Sequence, residues 1–149
     1  MSQMTWTTAQ QAAIDARGQN LLLSAAAGSG KTAVLTERIK KLITDMDDPA
    51  DITELLVLTF TRASAGEMKT RISSGIAKAL SEAEQEQNTP LARHLSRQLA
   101  LMSSAQISTL DSFFQTLIRR YFYLIDLDPN TKMLTDSNEI SVSYTHLTL

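Results

Sequence analysis

One stretch of nine residues decides the fold: Ser24-Ala25-Ala26-Ala27-Gly28-Ser29-Gly30-Lys31-Thr32. An apolar run at residues 20–24 (NLLLS) leads into it, and a helical pattern from Lys31 to about Asp45 follows it. The run is typical of a buried parallel strand, and small residues let the backbone turn so that successive N–H groups can point at one ligand. A strand, a small-residue turn and a helix that begins at Lys31 predict a phosphate-binding loop, rather than a turn that contains Gly-Lys-Thr by chance.

The residues of this loop have different expected roles in binding a nucleoside triphosphate. Lys31 is expected to reach the β- and γ-phosphates, and the Thr32 hydroxyl is expected to ligate Mg²⁺. These two are the candidate catalytic residues, and Thr32 is the candidate metal ligand. The N-terminus of the following helix adds the positive end of its dipole. Nucleotide contacts are predicted along the whole loop, at Ser24, Ala25, Ala26, Ala27, Gly28, Ser29, Gly30, Lys31 and Thr32.

Outward from the loop, apolar strand patterns alternate with helical patterns. Strands are predicted at residues 20–24, 54–60 and 105–109, with a short one at 132–135. Helices are predicted from Thr7 or Thr8 to Arg17, from Lys31 to about Asp45, from Arg62 to about Glu84, from Asn88 onward, and after a cap at Asp111. This alternation predicts an α/β fold with a mainly parallel sheet flanked by helices.

Composition limits the class of protein. The 149 residues fit one domain, and 43% hydrophobic residues are enough to form a core. The absence of cysteine excludes disulfides and thiolate metal sites, which suits the cytoplasm. No apolar run has membrane-spanning length, and the polar start MSQMTWTT is not a signal peptide, so no membrane partner is expected. Because the net charge is -2, DNA binding has to come from local residues.

A second motif precedes the loop at residues 6–14 (WTTAQQAAI). It resembles the Q-motif of UvrD-like superfamily 1 DNA helicases, a family in which the Ala25 position of the phosphate loop is commonly alanine as well. The resemblance implies that Gln10 reads the adenine edge of ATP, because its amide offers both a donor and an acceptor. The other interpretation of Gln10 is a solvent-facing helix residue.

A third motif, residues 59–72 (TFTRASAGEMKTRI), resembles motif Ia of the same family. It begins where a parallel strand ends, at the edge where such sheets bind ligands. The resemblance implies a DNA-binding site in which Thr59, Thr61 and the backbone amides after them hold phosphates, Phe60 stacks on a base, and Arg62 also contacts DNA. Ala63 stands where many relatives have lysine, which removes one expected contact. Phe60 could instead be a core aromatic.

A fourth motif, residues 107–113 (ISTLDSF), resembles motif Ib and implies DNA phosphate contacts from Thr109 and Ser112. Asp111 replaces the histidine that is frequent there. Because a carboxylate beside a phosphate is unfavourable, Asp111 is expected to cap a helix instead. Arg119 and Arg120 fit a solvated helix face better than a DNA-side patch.

Within this family, the chain is most similar to the A subunits of bacterial helicase–nucleases, the AddA type, over nearly all of residues 5–139. That resemblance implies a partial RecA-like P-loop NTPase domain at residues 1–140. It also implies a parent enzyme that uses ATP and Mg²⁺, acts on single-stranded and double-stranded DNA, and works with a helicase–nuclease B subunit in the bacterial cytoplasm. No acidic Walker B pair follows a later strand in this sequence. We therefore expect the chain itself to bind nucleotide without hydrolysing it.

The last residues have a different expected origin. Residues 142–149 (VSYTHLTL) are the in-frame translation of GTC TCT TAT ACA CAT CTG ACG CTG, a string that resembles a transposase-library sequencing adapter. We therefore expect residues 141–149 to be adapter-derived and the natural chain to continue past Ile140, although an ordinary polar strand is the other interpretation. A small P-loop phosphotransferase or a stand-alone nucleotide- or DNA-binding module is the alternative for the function. The phosphotransferase does not account for Gln10 or for the motifs at residues 59–72 and 107–113, and the adapter-like tail argues against a stand-alone module.

Overall fold

The structure is a computed structural model that describes residues 5–24, 26 and 28–124. The chain divides into two compact units, residues 1–110 and residues 111–149. The strand predicted at 132–135 and the tail at 141–149 lie outside the described residues. Over the described ranges, no helix combines the length and the hydropathy needed to cross a membrane.

The first unit alternates helices with strands, as predicted. Its elements in chain order are α1 (Thr8–Asp15), α2 (Lys31–Thr44), a 3-10 turn (Ile52–Glu54), β1 (Leu56–Thr59), α3 (Arg62–Gln85), α4 (Thr89–Leu101) and β2 (Gln106–Thr109). In the second unit, α5 (Leu110–Tyr121, with Leu110 still in the first unit) is followed by a 3-10 turn (Phe122–Leu124). The helix boundaries lie close to those predicted from the caps and the apolar spacing.

The sheet that the structure describes is a parallel pair. Strands β1 and β2 run side by side in register, from Leu56 opposite Gln106 to Thr59 opposite Thr109. A parallel pair needs a long crossover, and α3 with α4 provides it. Helix α3 packs against both strands. The predicted α/β class, with a parallel sheet flanked by helices, is therefore confirmed.

The main core of the first unit forms on one face of α3. Met68, Ile72 and Ile76 recur at four-residue spacing and are all buried, as the sequence pattern predicted. The buried residues that pack with them come from α2, α4, the 3-10 turn and the strands: Ile39, Ile43, Ile52, Val57, Ala83, Leu95 and Met102. Because α2, α3 and α4 share this core, the segment before each helix has a fixed place on the fold.

Two features of α2 and its approach differ from the prediction. Residues 20–24 do not form a strand, and Leu22 is 92% exposed. The apolar run has no described strand beside it, so its backbone has no ladder to join and its leucines have no sheet face to cover. Within α2, the four-residue spacing of Leu35 and Ile39 predicts that both point inward, but Leu35 is partly exposed. Val34 is buried instead, against Ala13 and Ile14 of α1.

The predicted cap at Asp111 is also wrong. Helix α5 begins at Leu110, directly after Thr109, so Asp111 lies in the first turn of the helix. The sequence predicted the helix correctly but placed its start after Asp111, two residues too late. A carboxylate in the first turn still interacts favourably with the positive end of the helix dipole.

A buried amide joins α4 to the segment before β1. Gln98 is fully buried, and its Oε1 accepts a hydrogen bond of 2.8 Å from the backbone N–H of Ile52. Its Nε2 lies 3.4 Å from Oδ2 of Asp51, and Asp51 in turn accepts from the backbone N–H of Thr53 at 3.0 Å. The amide therefore satisfies a backbone donor that the core would otherwise leave unpaired.

Candidate nucleotide-binding site

The phosphate loop turns through two glycines in the left-handed region. Gly28 has φ +80° and Gly30 has φ +82°, values that other residues rarely adopt. Gly30 is the N-cap of α2, and its carbonyl accepts the first helical bond from Val34 N at 2.9 Å. Helix α2 consequently begins at Lys31, as the sequence predicted. The backbone N–H groups of the first turn, which have no partner within the helix, are therefore presented by the loop.

Lys31 and Thr32 occupy the first turn of α2, and both are exposed. The Lys31 ammonium bends back over the loop and donates a hydrogen bond of 2.7 Å to the carbonyl of Ala26. An ammonium has three N–H donors, so this bond is compatible with a further one to an oxyanion. The arrangement brings a positive side chain, a hydroxyl and a helix N-terminus to one place, which suits a phosphate with a divalent cation.

Ser29 contributes a feature that the sequence did not reveal. Its hydroxyl oxygen is buried and has no hydrogen-bond partner within the part of the chain that the structure describes. Its backbone N–H donates to the carbonyl of Ala26 at 3.3 Å, which closes the turn. A buried polar atom without a partner is costly. The Ser29 hydroxyl therefore fits a site that is completed by a polar ligand.

The predicted base-reading residue, Gln10, lies against this loop. Its Nε2 donates to the carbonyl of Ser29 at 3.3 Å, and its Oε1 accepts from the backbone N–H of Thr7 at 2.9 Å. The Thr7 hydroxyl accepts in return from the Gln10 N–H at 3.3 Å, which completes a capping box at the start of α1. The spacing Thr7-x-x-Gln10 is the sequence signal for this box. Gln10 is thus a partly buried link to the loop rather than a solvent-facing helix residue.

Polar contacts hold α1 on α2 and so hold Gln10 beside the loop. Arg38 of α2 donates to the carbonyl of Ala13 at 2.7 Å. Lys41 forms an ion pair with Asp15 at the end of α1, and the hydrogen bond from Lys41 lowers the pKa of the Asp15 carboxyl below its usual range. These contacts supplement the small apolar cluster of the two helices. Gln10 and residues 28–32, the predicted nucleotide-binding residues, are therefore held in fixed positions relative to one another.

The structure also brings together the ends of the two strands. Thr59 and Thr109 are register partners at the last position of β1 and β2, which unites residues from motifs Ia and Ib. The Thr59 hydroxyl donates to the carbonyl of Thr61 at 3.0 Å, and Thr109 is buried. Phe60 is 96% exposed directly after β1, so its interpretation as a core aromatic is wrong. An exposed aromatic at this edge can stack on a base.

The start of α3 adds a positive charge to this edge. The Thr61 hydroxyl caps the helix by accepting from Ser64 N at 3.1 Å, so part of its hydrogen-bonding capacity is already taken up by the cap. Arg62 is exposed in the first turn and has no ion pair among the described residues. A cation at a helix N-terminus opposes the helix dipole. An external anion at this position would offset that unfavourable charge.

Some predicted site residues are not brought into these groups. Ser24 is exposed in the extended segment before the loop. Ala25 and Ala27 lie outside the described residues. Ser112 lies in α5, within the second unit, whereas Thr109 belongs to the first. The structure therefore assembles Gln10 with residues 28–32, and separately Thr59 to Arg62 with Thr109.

Several known proteins are similar to this chain over most of its length. A family model described as UvrD/REP helicase N-terminal domain matches residues 6–148. The chain is 53% identical over 133 residues to the A subunit of the ATP-dependent helicase/nuclease of Clostridium novyi, covering 89% of this chain and 10% of that protein. It is 54% identical over 125 residues to the protein of the same name from Bacillus licheniformis, covering 84% of this chain and 10% of that protein.

A third relative, the same A subunit from Lacticaseibacillus casei, is 48% identical over 134 residues, which is 90% of this chain and 11% of that protein. The chain therefore spans about a tenth of the length of the curated relatives that it matches. The family match covers the phosphate loop and the three other motifs, which a small phosphotransferase does not explain. The chain belongs to the UvrD/REP helicase N-terminal domain family.

Proposed function

We propose that this chain binds ATP with Mg²⁺ through the loop at residues 24–32. The observation that carries the proposal is the turn itself, in which left-handed Gly28 and Gly30 present the first turn of α2 beside Lys31. The buried Ser29 hydroxyl without a partner among the described residues supports a polar ligand at the same place. A bound triphosphate would place its negative oxygens against this cluster of donors.

Each residue has a definite role in this proposal. Lys31 holds the β- and γ-phosphates by charge-assisted hydrogen bonds, and the Thr32 hydroxyl ligates Mg²⁺. The backbone donors of the loop, from Ser24 to Thr32, orient the phosphates. Gln10 reads the adenine edge with its amide, which favours ATP over other nucleotides. When bound, Mg²⁺ neutralises charge on the phosphate oxygens.

We further propose that the chain is the ATP-binding part of one subunit of an ATP-dependent DNA helicase–nuclease. The family and the names of the relatives support this assignment. In it, Phe60 and Arg62 contact single-stranded DNA, with Thr59, Thr61, Thr109 and Ser112 as further phosphate contacts. In this proposal the parent enzyme acts on single-stranded and double-stranded DNA to process double-strand breaks. It works with a helicase–nuclease B subunit in the bacterial cytoplasm.

The ATP proposal is tested by titrating the chain with MgATP in a calorimeter. We expect Lys31→Ala to weaken binding by about ten- to a hundredfold, because a hydrogen bond from a charged group contributes ~1.5–3 kcal/mol. Lys78→Ala is the matched control, since Lys78 is exposed on α3 and pairs at 3.7 Å with Glu82 of the same helix. Equal MgATP affinity for the Lys31→Ala variant and the unsubstituted chain would refute the proposal.

A further inference from the structure

The Gln10 side chain joins two parts of the first unit, the start of α1 and the phosphate loop. Its carbonyl oxygen binds the first turn of α1 through Thr7 N at 2.9 Å, and its amide nitrogen binds the phosphate loop through Ser29 O at 3.3 Å. A Cβ added to Gly30 would lie 3.5 Å from the same nitrogen, so a side chain at this position would contact the amide. The Gln10 amide therefore lies close to the loop at Gly30 and is bonded to it at Ser29.

The amide keeps bonding capacity beyond these two contacts. A glutamine oxygen has two lone pairs and its nitrogen has two N–H donors, and the contacts of Gln10 use one of each. One donor and one acceptor remain, the same number that a glutamine amide uses on the N6 and N7 edge of adenine. Base recognition and the contact with Ser29 can therefore exist at the same time.

The Ser29 carbonyl is an effective place to restrain the loop. It lies between the two left-handed glycines, whose backbones are the most permissive in the turn. On the other side of this residue, its N–H donates a bond of 3.3 Å to Ala26 O. A second bond on the carbonyl side fixes the orientation of the peptide that joins Ser29 to Gly30, directly before the first turn of α2.

We infer that Gln10 is a positioning residue for the phosphate loop, which it holds through the Ser29 carbonyl, in addition to reading the base. This inference rests on the proposed ATP binding. It assigns to Gln10 an effect on ligands that have no base. A glutamine that only reads adenine has no influence on such ligands.

The decisive probe is inorganic tripolyphosphate, which has the charge of the ATP phosphates and no base. Binding of tripolyphosphate and of ATP, each with Mg²⁺, is measured by calorimetry for the unsubstituted chain and for Gln10→Ala. We expect Gln10→Ala to weaken the binding of both ligands by about two- to tenfold, the effect of losing one positioning hydrogen bond. Unchanged tripolyphosphate affinity together with weakened ATP binding would overturn the inference and leave Gln10 as a base reader only.

Two control variants separate the contact with the loop from other effects. Gln11→Ala removes the neighbouring amide, which binds Asp15 at 3.0 Å on the exposed side of α1, and we expect no change in either affinity. Thr7→Ala removes the hydroxyl cap but keeps the Thr7 N–H, from which the Gln10 carbonyl oxygen accepts. We expect Thr7→Ala to lower the melting temperature while leaving tripolyphosphate affinity unchanged.

The remaining outcomes are also decisive. If Thr7→Ala weakens tripolyphosphate binding as much as Gln10→Ala does, loss of the helix start explains both effects. The positioning role of Gln10 is then wrong. If the unsubstituted chain binds neither tripolyphosphate nor ATP, the proposed function itself fails, and the inference fails with it. Alanine is a strong helix former, so Gln10→Ala preserves α1, and circular dichroism checks that it does.

Discussion

Replacing the buried Gln98 by leucine is the sharpest test of how the first unit is held together. The substitution keeps the approximate volume but removes the oxygen that accepts from Ile52 N at 2.8 Å. Gln98 and Ile52 are both fully buried, so water cannot take over this bond. A buried donor without a partner costs ~1–3 kcal/mol, and we expect Gln98→Leu to lower the free energy of unfolding by about that amount.

Gln98→Glu perturbs the same place in a pH-dependent way. Its carboxyl can still accept from Ile52 N, but the amide group that faced Asp51 at 3.4 Å is gone. Burial and the neighbouring carboxylate raise the pKa of the introduced acid in the folded state above its unfolded value. Its protonated form is therefore tolerated, and we expect the variant to lose stability as the pH rises above about 4.3, the ordinary glutamate value.

Both variants are measured by urea unfolding, followed by circular dichroism and by the fluorescence of Trp6. Gln85→Leu is the matched control, because Gln85 lies exposed near the end of α3, where its amide donates at 3.4 Å to the Ser81 hydroxyl. An exposed change of this kind is expected within about ±0.5 kcal/mol of the unsubstituted chain. Equal unfolding free energies for Gln98→Leu and Gln85→Leu would show that the buried amide does not stabilise the fold.

Two further predictions concern acid stability and DNA binding. Hydrogen bonds from the backbone N–H and then the hydroxyl of Thr53 lower the pKa of Asp51, so its contribution to stability is complete above a pH of about 3.9 and is lost as the pH falls through its folded pKa. Asp51→Asn should flatten this loss of stability in acid, measured as urea midpoints from pH 7 to 3. An unaltered profile would contradict the assignment. Arg62→Ala should weaken binding of a labelled oligo-dT and reduce the slope of log K against log salt by about 0.7, measured by fluorescence anisotropy. Arg93→Ala, on the exposed side of α4, should leave both the affinity and the slope unchanged. Equal slopes for the two variants would show that Arg62 does not contact the DNA.

The parts of the fold that were predictable are those set by local signals. The four-residue spacing of Met68, Ile72 and Ile76 identified the buried face of α3, and Gly30 marked the start of α2. The strand at residues 20–24 failed because a strand depends on a partner elsewhere in the chain, and composition reports only the apolar character of one segment. Leu22 is apolar enough for a sheet and is nevertheless 92% exposed.

The polar contacts inside the first unit were harder to foresee. Gln98 lies among the apolar positions of α4, but its partner Ile52 is distant in the sequence, so only the folded chain reveals why an amide is needed there. Gln10 was identified as a candidate from its motif, whereas its bond to Ser29 depends on how α1 packs on α2. The capping-box spacing from Thr7 to Gln10 was the one local signal that this side chain turns back toward the backbone.

The proposed nucleotide site and the ends of the two strands lie at the same end of the first unit because of how its helices pack. Thr36 of α2 meets Met68 of α3 at 3.6 Å, and further along, the Lys40 side chain approaches Gly75. The two contacts follow the same order along both helices, so α2 and α3 point in the same general direction. At 1.5 Å per residue, Lys31 lies about 7.5 Å before the first contact and Arg62 about 9 Å before it, at similar depths.

Strand β1 ends only shortly before α3, so Phe60 and Thr59 belong to that same end, which is the carboxyl edge of the parallel pair. Parallel sheets bind ligands at this edge because the strands end there and the following helices begin there. The glycine turn before α2 and the threonine cap before α3 each place one exposed basic side chain in a first helical turn. The proximity of the proposed phosphate site to the proposed DNA-binding edge therefore follows from the shared core of α2 and α3, and the motif residues alone do not produce it.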